Sequence, residues 1–461
     1  MTLLSNGPAS PVALDPIGVT AAVVDRTRRL AASELPDNVR TVGRQCMLDW
    51  FAVALAGSHE PLVRMLIGQA EEEGCTPVAT VLGSSAKFSA RQAALINGAM
   101  GHAMDYDDVN VAGHGHMTAA VLPAAIAMAE VHGRSGAQLL SAFVAGYEAA
   151  VMVGRFVGRE HYDHGFHATA TIGVYGAASA SALLMDLDSE TCARALGIAG
   201  TQAAGLKAQF GTMCKPLHAG KANENGLFGA QLARRGFTGR LDILECVQGF
   251  GATQSPGGDA DAALVPARAS AHIADNLFKF SASCYGTHGA IIAARQLRRE
   301  HKLVAEQIRR IELRVEPSSD SMCNIAAPST GLQAKFSLRF NAALALAGED
   351  TALPATYTDA LTQRKDLCSL RDRVVVRVMP SGWPVTLTEV DIELTDGRLL
   401  KASYDTGAPA NDLAEQGDRL NQKFVALAEP VLGRSRATQL ATAIAEVERI
   451  PDIGELLEIV R

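Results

Sequence analysis

The sequence is poor in aromatic residues and contains no pair of cysteines in a C-x-x-C arrangement. Aromatic residues make up 5% of the 461 residues and hydrophobic residues 48%, and there are 42 glycines. A core with so few rings must be filled by small side chains, which favours closely packed helices rich in alanine and glycine. The eight cysteines are scattered, which is typical of reduced thiols and predicts a cytoplasmic protein.

Signals for export, membrane insertion and nucleic-acid binding are also missing. Residues 1–15 lack a basic stretch followed by an apolar one, so they do not resemble a signal peptide. The longest uncharged run, Ala168–Met185, consists mostly of Ala, Ser, Thr and Gly, which predicts a buried helix and not a membrane span. With a net charge of −7 and no basic tract, the protein is predicted to bind neither nucleic acid nor membrane.

The common cofactor and metal motifs are absent from the sequence. The chain has no P-loop, no G-x-G-x-x-G after a predicted strand, no H-E-x-x-H and no acidic cluster with EF-hand spacing. We therefore expect neither an organic cofactor nor a catalytic metal.

Helical and strand periodicities predict a mostly α-helical protein with a smaller α+β unit. Helical spacing of apolar residues dominates up to about residue 239 and returns from Asp412 onward. Between them, Ile311–Glu316 and Val390–Leu394 alternate with period two, and Asp396-Gly397 predicts a hairpin. The predicted parts are a helical domain over residues 16–267 and 405–461, an α+β lid with an antiparallel sheet over residues 268–404, and an N-terminal tail over residues 1–15.

The densest group of ionisable residues lies between two alanine-rich segments. Helix termination is one explanation for it, because aspartate and glycine often end helices. The concentration of acids and imidazoles beside buried segments instead favours a site that moves protons, binds a metal or binds a polar substrate. The six residues are His102, Asp105, Asp107, Asp108, His114 and His116.

Two later segments each carry a residue suited to such a site. His167 is predicted at the N-terminus of the uncharged helix, where a neutral imidazole and an anion are both favoured. His161 and His164 just before it are expected to be surface loop histidines. Lys215 precedes Pro216, so its backbone is predicted to be extended and not helical. A lysine held there suits carboxylate binding, with a solvated loop lysine as the alternative.

A fourth segment lies at the junction of the two predicted domains, where clefts commonly form. It contains Lys279, Cys284, Tyr285 and His288. No motif of a cysteine protease surrounds Cys284, so a nucleophilic thiol is not expected there.

Several histidines, carboxylates and a lysine suit proton transfer beside a carboxylate-bearing substrate. Two other classes stay open on these residues. One is a metal-dependent hydrolase built on the aspartate and histidine cluster. The other is a non-catalytic helical interaction protein.

Five ordered blocks of sequence carry a resemblance to a known family. From about residue 16 to the C-terminus the chain resembles the MmgE/PrpD family, which includes 2-methylcitrate dehydratase, cis-aconitate decarboxylase and iminodisuccinate epimerase. The blocks are Asn97-Gly98 with His102-x-x-Asp-Tyr-Asp-Asp108, His116-x-x-x-Ala-Val-Leu-Pro123, Gly165-Phe-His167, Lys215-Pro-Leu-His-Ala-Gly220 and Lys279-Phe-x-x-x-Cys284-x-x-x-His288.

The resemblance implies a fold and a set of functional residues. The helical domain would be built from both chain ends, the active site would lie between it and the lid, and the protein would be a homodimer without a cofactor. The matching catalytic positions are Asp105, His116, His167, Lys215 and His288. The residues expected to bind substrate are Lys215, His102, Lys279, Cys284 and Tyr285.

The resemblance also implies a reaction class, a cofactor-independent lyase of dehydratase type acting on a small di- or tricarboxylate such as a citrate-like hydroxy acid. A histidine base would first remove a proton α to a carboxylate. Decarboxylation of the cis-aconitate type and epimerisation of an iminodisuccinate-like dicarboxylate are the alternatives. The decarboxylase pattern has a threonine where this chain has Val109, and the tyrosine common after Phe-Ser-Leu is Phe340 here.

Overall fold

The structure is a computed structural model that describes residues 18–461. The predicted tail over residues 1–15 and the predicted domain start at residue 16 lie outside the described residues. The elements before the main sheet are α1 (Val19–Ala32), α2 (Asp37–Gly57), α3 (Pro61–Glu73), β1 (Ala79–Thr80), β2 (Lys87–Phe88), α4 (Ala90–His102), α5 (Met117–Val131), α6 (Gly136–Asp163), α7 (Ala168–Thr171), α8 (Gly173–Leu184), α9 (Ser189–Gly200), α10 (Cys214–Arg234), α11 (Phe250–Gln254), α12 (Ala260–Leu264) and α13 (His288–His301).

The second part of the chain combines short helices with a four-stranded sheet and ends in three helices. Its elements are β3 (Ile308–Val315), α14 (Pro317–Cys323), α15 (Gly331–Lys335), α16 (Leu338–Ala347), α17 (Asp359–Thr362), α18 (Lys365–Arg371), β4 (Val374–Val378), β5 (Leu387–Leu394), β6 (Leu399–Asp405), α19 (Leu413–Leu432), α20 (Arg434–Ala445) and α21 (Ile453–Glu458). A mostly α-helical protein with a small sheet domain is therefore confirmed.

The helices of the first part pack through small residues, as the composition predicts. Gly146 on α6 lies so close to α8 that a Cβ atom there would sit 2.6 Å from the carbonyl oxygen of Gly176. Among the described residues, α6 is the helix long and apolar enough to cross a membrane, but 89% of its apolar window is buried inside the protein. Such burial is typical of a core helix.

The main sheet has the strand order β4-β3-β5-β6. Strand β5 pairs antiparallel with β3 and with β6, as predicted. Strand β4 pairs parallel with β3, with Ile311 opposite Val374, so the prediction of a purely antiparallel sheet is wrong at this edge. The reason is the connection: five helices separate β3 from β4, and a long crossover lets the chain return in the same direction, which a hairpin does not.

The C-terminal helices pack against the first helices of the chain. The Gln416 side-chain amide on α19 donates a hydrogen bond of 2.7 Å to Gln45 Oε1 on α2, and the Gly83 amide donates to the carbonyl of Val460 at 2.8 Å. The two ends of the chain are therefore in contact. The domain boundaries at residues 267 and 405 stay a prediction.

Two local predictions are wrong. Lys215 is not in an extended segment, because it lies in the first turn of α10. Proline is tolerated in a first helical turn, where its missing N–H would have no intrahelical partner. His161 is not a surface residue either: it is fully buried in α6, with Nδ1 2.7 Å from the carbonyl of Gln254 and Nε2 2.7 Å from Thr171 Oγ1.

A buried ion pair joins α19 to α2 beside the loop that follows α4. Lys423 Nζ lies 2.6 Å from Asp49 Oδ1, and both side chains are almost fully buried. The same ammonium group donates to the carbonyl oxygens of Tyr106, at 2.8 Å, and Lys279, at 3.0 Å. Lys423 therefore ties α19 to α2 and to two further segments at once.

We expect Lys423→Met to destabilise the protein by about 3–5 kcal/mol, because it leaves the Asp49 carboxylate buried without its partner. The measurement is the midpoint of urea unfolding, with exposed Lys365→Met as the matched control. Adding Asp49→Leu to Lys423→Met should recover part of the loss. A Lys423→Met midpoint equal to that of the control would contradict this account of the pair.

Candidate active site

One cavity collects most of the residues singled out in the sequence. It measures about 1020 Å³, counted out to its open mouth. The helical part of the chain and the C-terminal half both contribute to its wall. The predicted site residues that line it are Asp105, His116, His167, Lys215, Lys279, Cys284 and Tyr285. Among the other lining residues are Val109, His114, Arg159, Tyr162, Phe210, Glu316, Met322 and Phe336.

Asp105 is the centre of a three-residue charge cluster in the cavity wall. Its Oδ1 atom lies 2.6 Å from Lys215 Nζ and 3.1 Å from Lys279 Nζ. Burial alone would raise the pKa of the Asp105 carboxyl, but the two ammonium groups outweigh it and hold the pKa far below its ordinary value. Asp105 has a positive φ of 53°, a conformation that aspartate tolerates better than most residues. This backbone aims the carboxylate at both lysines.

Asp107 lies behind the wall and contacts two imidazoles. His102 Nδ1 donates to its carboxylate at 2.9 Å, and His116 Nδ1 lies 3.1 Å from the same oxygen in a less well-aligned contact. Burial would raise the pKa of Asp107, but these two histidines hold it well below its ordinary value. Burial lowers the pKa of His102 to about 4. His102 is therefore neutral, and its buried Nε2 atom has no hydrogen-bond partner.

The same three residues are the candidate metal ligands of the described part of the chain. One donor atom from each of His102, Asp107 and His116 lies within 4.8 Å of the others. Ligand atoms around a tetrahedral zinc ion, each about 2.0–2.1 Å from it, sit roughly 3.3 Å apart. The observed nitrogen-to-oxygen separations of 2.9 and 3.1 Å are shorter and fit direct contact of imidazole with carboxylate.

His167 reaches the cavity from the N-terminus of α7. Its backbone amide donates to the carbonyl of Gly205 at 3.0 Å, and its ring packs against the edge of Phe210 with centroids 4.9 Å apart. On the side away from the cavity, His167 Nδ1 lies 3.0 Å from His218 Nδ1. Burial, followed by the neighbouring His102 imidazole and Lys215 ammonium groups, holds the pKa of His167 well below its ordinary value.

The loop between α4 and α5 is fixed by bonds to the segment that carries Lys279. Val109 and Leu277 exchange two backbone hydrogen bonds of 2.8 and 2.9 Å. Asp108 accepts bonds from Thr118 Oγ1 at 2.6 Å and from Asn276 Nδ2 at 2.9 Å. Burial and the nearby Asp49 carboxylate raise the pKa of Asp108 to about 7. Asp108 thus anchors the loop and does not line the cavity.

The C-terminal half of the chain supplies further lining residues. Cys284 is one of them, and a hydrogen bond from Cys323 lowers the pKa of the Cys284 thiol. The Tyr285 hydroxyl donates to the carbonyl of Thr406. His288, the first residue of α13, does not reach the cavity; its Nε2 atom lies 3.3 Å from the carbonyl of Ser283. Burial lowers the pKa of His288 to about 3.

The predicted site residues thus fall into two groups. Seven line the cavity, whereas His102 and His288 lie behind its wall, where they contact other protein groups. Asp107 and His218 are positioned to orient cavity imidazoles, although both were only members of a motif in the sequence. The sequence placed Asp107 in the same cluster as its partner His116 but did not show which member of the cluster orients which. The contact of His218 with His167 joins two segments 51 residues apart, so spacing carried no signal for it.

Comparison with known proteins places the chain in a family. Residues 22–263 match the MmgE/PrpD N-terminal domain, and residues 281–449 match the MmgE/PrpD C-terminal domain. The chain belongs to the MmgE/PrpD family. The prediction of an MmgE/PrpD-type enzyme, a lyase or an isomerase, is confirmed.

Relatives of this MmgE/PrpD protein extend over nearly its full length. A cis-aconitate decarboxylase-like protein of Aspergillus oryzae is 27% identical, over 96% of this chain and 97% of its own. A cis-aconitate decarboxylase of Aspergillus terreus is 26% identical, over 96% of each chain. The cis-aconitate decarboxylase of Homo sapiens is also 26% identical, over 96% of this chain and 94% of its own.

The buried histidines predict how the stability of this MmgE/PrpD protein depends on pH. Burial lowers the pKa of His102 and His114 to about 4 and that of His288 to about 3. Below about pH 6.5 the unfolded chain binds protons at these positions that the folded chain does not bind. Asp108, with its pKa raised to about 7, acts in the opposite direction. Asp49, whose pKa is also raised, acts in the same direction as Asp108. Five further histidines also have lowered pKa values, namely His132, His161, His167, His218 and His272. Eight histidines outweigh two aspartates, so this contribution to stability is lost as the pH falls.

We therefore expect the free energy of unfolding to decrease from pH 6.5 to about pH 4.5. Urea unfolding at a series of pH values measures it, at constant ionic strength. Replacing His114 by Gln should make the decrease shallower. If the free energy of unfolding stays constant or increases as the pH falls from 6.5 to about 4.5, the histidines are not held neutral.

Proposed function

We propose that this protein is a cofactor-independent lyase that acts on a small tri- or dicarboxylate and begins by removing a proton α to one carboxylate. The observation that carries the proposal is a single cavity with imidazoles on one wall and a buried ammonium cluster beside them. A dehydratase-type reaction on a citrate-like hydroxy acid uses both, because it needs a bound carboxylate and a base next to it.

The charges of the cavity wall favour an anionic substrate. Three cations, Arg159, Lys215 and Lys279, line it together with two carboxylates, Asp105 and Glu316, which leaves a net charge of +1 when the histidines are neutral. The two lysines share one carboxylate at 2.6 and 3.1 Å, so the cluster keeps one uncompensated positive charge. A substrate carboxylate compensates it, and the same ammonium groups stabilise the negative charge that forms after proton removal.

The imidazoles supply the proton transfers. His116 and His167 both line the cavity, and each has a partner on the side away from the substrate. The Asp107 carboxylate beside His116 stabilises the imidazolium that forms when His116 takes a proton. The other imidazole then protonates the departing hydroxyl group, and water leaves.

Decarboxylation of a cis-aconitate-like acid is the second candidate. The specific observation in its favour is that cis-aconitate decarboxylases match this chain over almost their full length. Val109 favours dehydration instead. It lines the cavity at the position where the decarboxylase pattern has a threonine, and valine offers no hydroxyl group to the substrate. In this second reaction an imidazole delivers a proton to the carbon that loses CO₂.

A substrate screen in D₂O tests the proposal. The protein is first dialysed against a chelator. We then expect it to remove water from a citrate-like hydroxy acid, and proton NMR detects the olefinic product. CO₂ release from cis-aconitate would favour the second candidate. Proton exchange in an aminosuccinate-like acid without water loss would show an epimerase. Activity that disappears with the chelator and returns with zinc would support a metal-dependent hydrolase and contradict the proposal.

The base is tested by replacing each cavity histidine separately. We expect His116→Gln and His167→Gln to lower kcat by about 10²–10⁴-fold, because general-base catalysis typically contributes that much. His164→Gln, at an exposed histidine of the same region, is the matched control and should keep its kcat. If both cavity variants turn over like the control, neither histidine is the base.

A further inference from the structure

We propose that His218 is a positioning residue for His167, which sets the nitrogen of His167 that carries a proton and passes that proton to solvent. The two side chains meet Nδ1 to Nδ1 at 3.0 Å, with ring centroids 5.3 Å apart. Two ring nitrogens at this distance share one hydrogen, so one donates and the other accepts. His218 itself does not line the cavity.

Both rings are neutral in the resting protein. Burial, followed by the positive charge of Lys215, lowers the pKa of His218. The groups that act on His167 are the imidazoles of His102, His116 and His218 and the Lys215 ammonium. All of these disfavour a charge on His167. A neutral imidazole carries one hydrogen, so the state of Nδ1 decides whether Nε2 is a lone pair or an N–H group.

This geometry gives His167 two forms. When its Nδ1–H donates to His218, its Nε2 has a free lone pair and acts as a base. When His218 Nδ1–H is the donor, His167 Nε2–H acts as an acid. A proton taken from substrate at Nε2 therefore releases the Nδ1 proton to His218 Nδ1. His218 then loses the proton on its own Nε2 to water, and the number of protons is conserved.

The surroundings of His218 fit this path. It lies one turn after Lys215 on α10 and is half-buried, whereas His167 is only 2% exposed. No other hydrogen bond of His218 is found among the described residues, so its Nε2 is free to exchange with water. The backbone of His167 is held by its amide bond to the Gly205 carbonyl, and its ring packs against the edge of Phe210.

The experiment observes the two rings directly, by NMR of protein labelled with ¹⁵N in its histidine rings. We expect the His167 nitrogens of wild type to report one hydrogen-bonded tautomer. His218→Leu should change the Nδ1 and Nε2 shifts of His167, because the partner is lost. His218→Asn should restore most of the wild-type pattern, because an asparagine amide reaches the position of Nδ1. His164→Leu is the matched control, and circular dichroism checks that each variant is folded.

The catalytic part of this inference rests on the proposed function, and a kinetic measurement tests it separately. On the substrate identified by the screen, His218→Leu should lower kcat by about 10–100-fold, as loss of an orienting partner does elsewhere, with little change in KM. His218→Asn should recover part of kcat. Unchanged His167 shifts in His218→Leu would overturn the inference whatever the substrate, and so would an unchanged kcat. A third outcome is that the His167 shifts change in His218→Leu while the wild-type protein turns over none of the acids. That outcome supports the positioning role and rejects only the proposed function.

Discussion

The bonds from one carboxylate, Asp105, to two lysines hold this site together. Lys215 and Lys279 lie 110 and 174 residues further along the chain, and both ammonium groups meet the same oxygen. Removing such charges from water is costly unless they compensate one another. The cluster therefore forms only when α10, the loop after α4 and the segment before α13 are all in place. In the proposed function, its remaining positive charge binds an anionic substrate.

The two cavity imidazoles differ through the partners behind them. His116 has an ionised carboxylate, Asp107, on its far side, whereas His167 has a second neutral imidazole, His218. A fixed anion stabilises an imidazole that becomes charged, and a neutral partner does so much less. In the proposed reaction, His116 is the imidazole that has a carboxylate beside it. His167 is suited to exchange protons while staying neutral, so one pocket contains two chemically distinct groups built from the same side chain.

Regular elements were predictable from sequence, and irregular ones were not. Strands β3 and β5 overlap the segments Ile311–Glu316 and Val390–Leu394 predicted from alternation, because a period of two fixes which face of a strand is buried. The loop after α4 has no such period. Positive φ angles at Asp105 and His114 change the direction of the chain there, so spacing did not reveal that Asp107 faces away from the cavity. The pair of His167 and His218 depends on packing between α7 and α10, which no local pattern reports.

The helical part and the C-terminal half of the chain contribute different kinds of side chain to the cavity, which suggests how one fold can support several reactions. In the proposed function, proton transfer and carboxylate binding use the helical wall and Lys279, and dehydration and decarboxylation both need them. What differs between these reactions is the group that meets the leaving hydroxyl or CO₂. Around it the chain offers Val109 from the loop and Cys284 and Tyr285 from the C-terminal half. The thiol of Cys284, with its pKa lowered by Cys323, differs from the hydroxyl of Tyr285, whose pKa is raised by burial. Under the proposed function, the charge cluster and the paired imidazoles serve either chemistry, and these few side chains are the candidates for selecting the reaction.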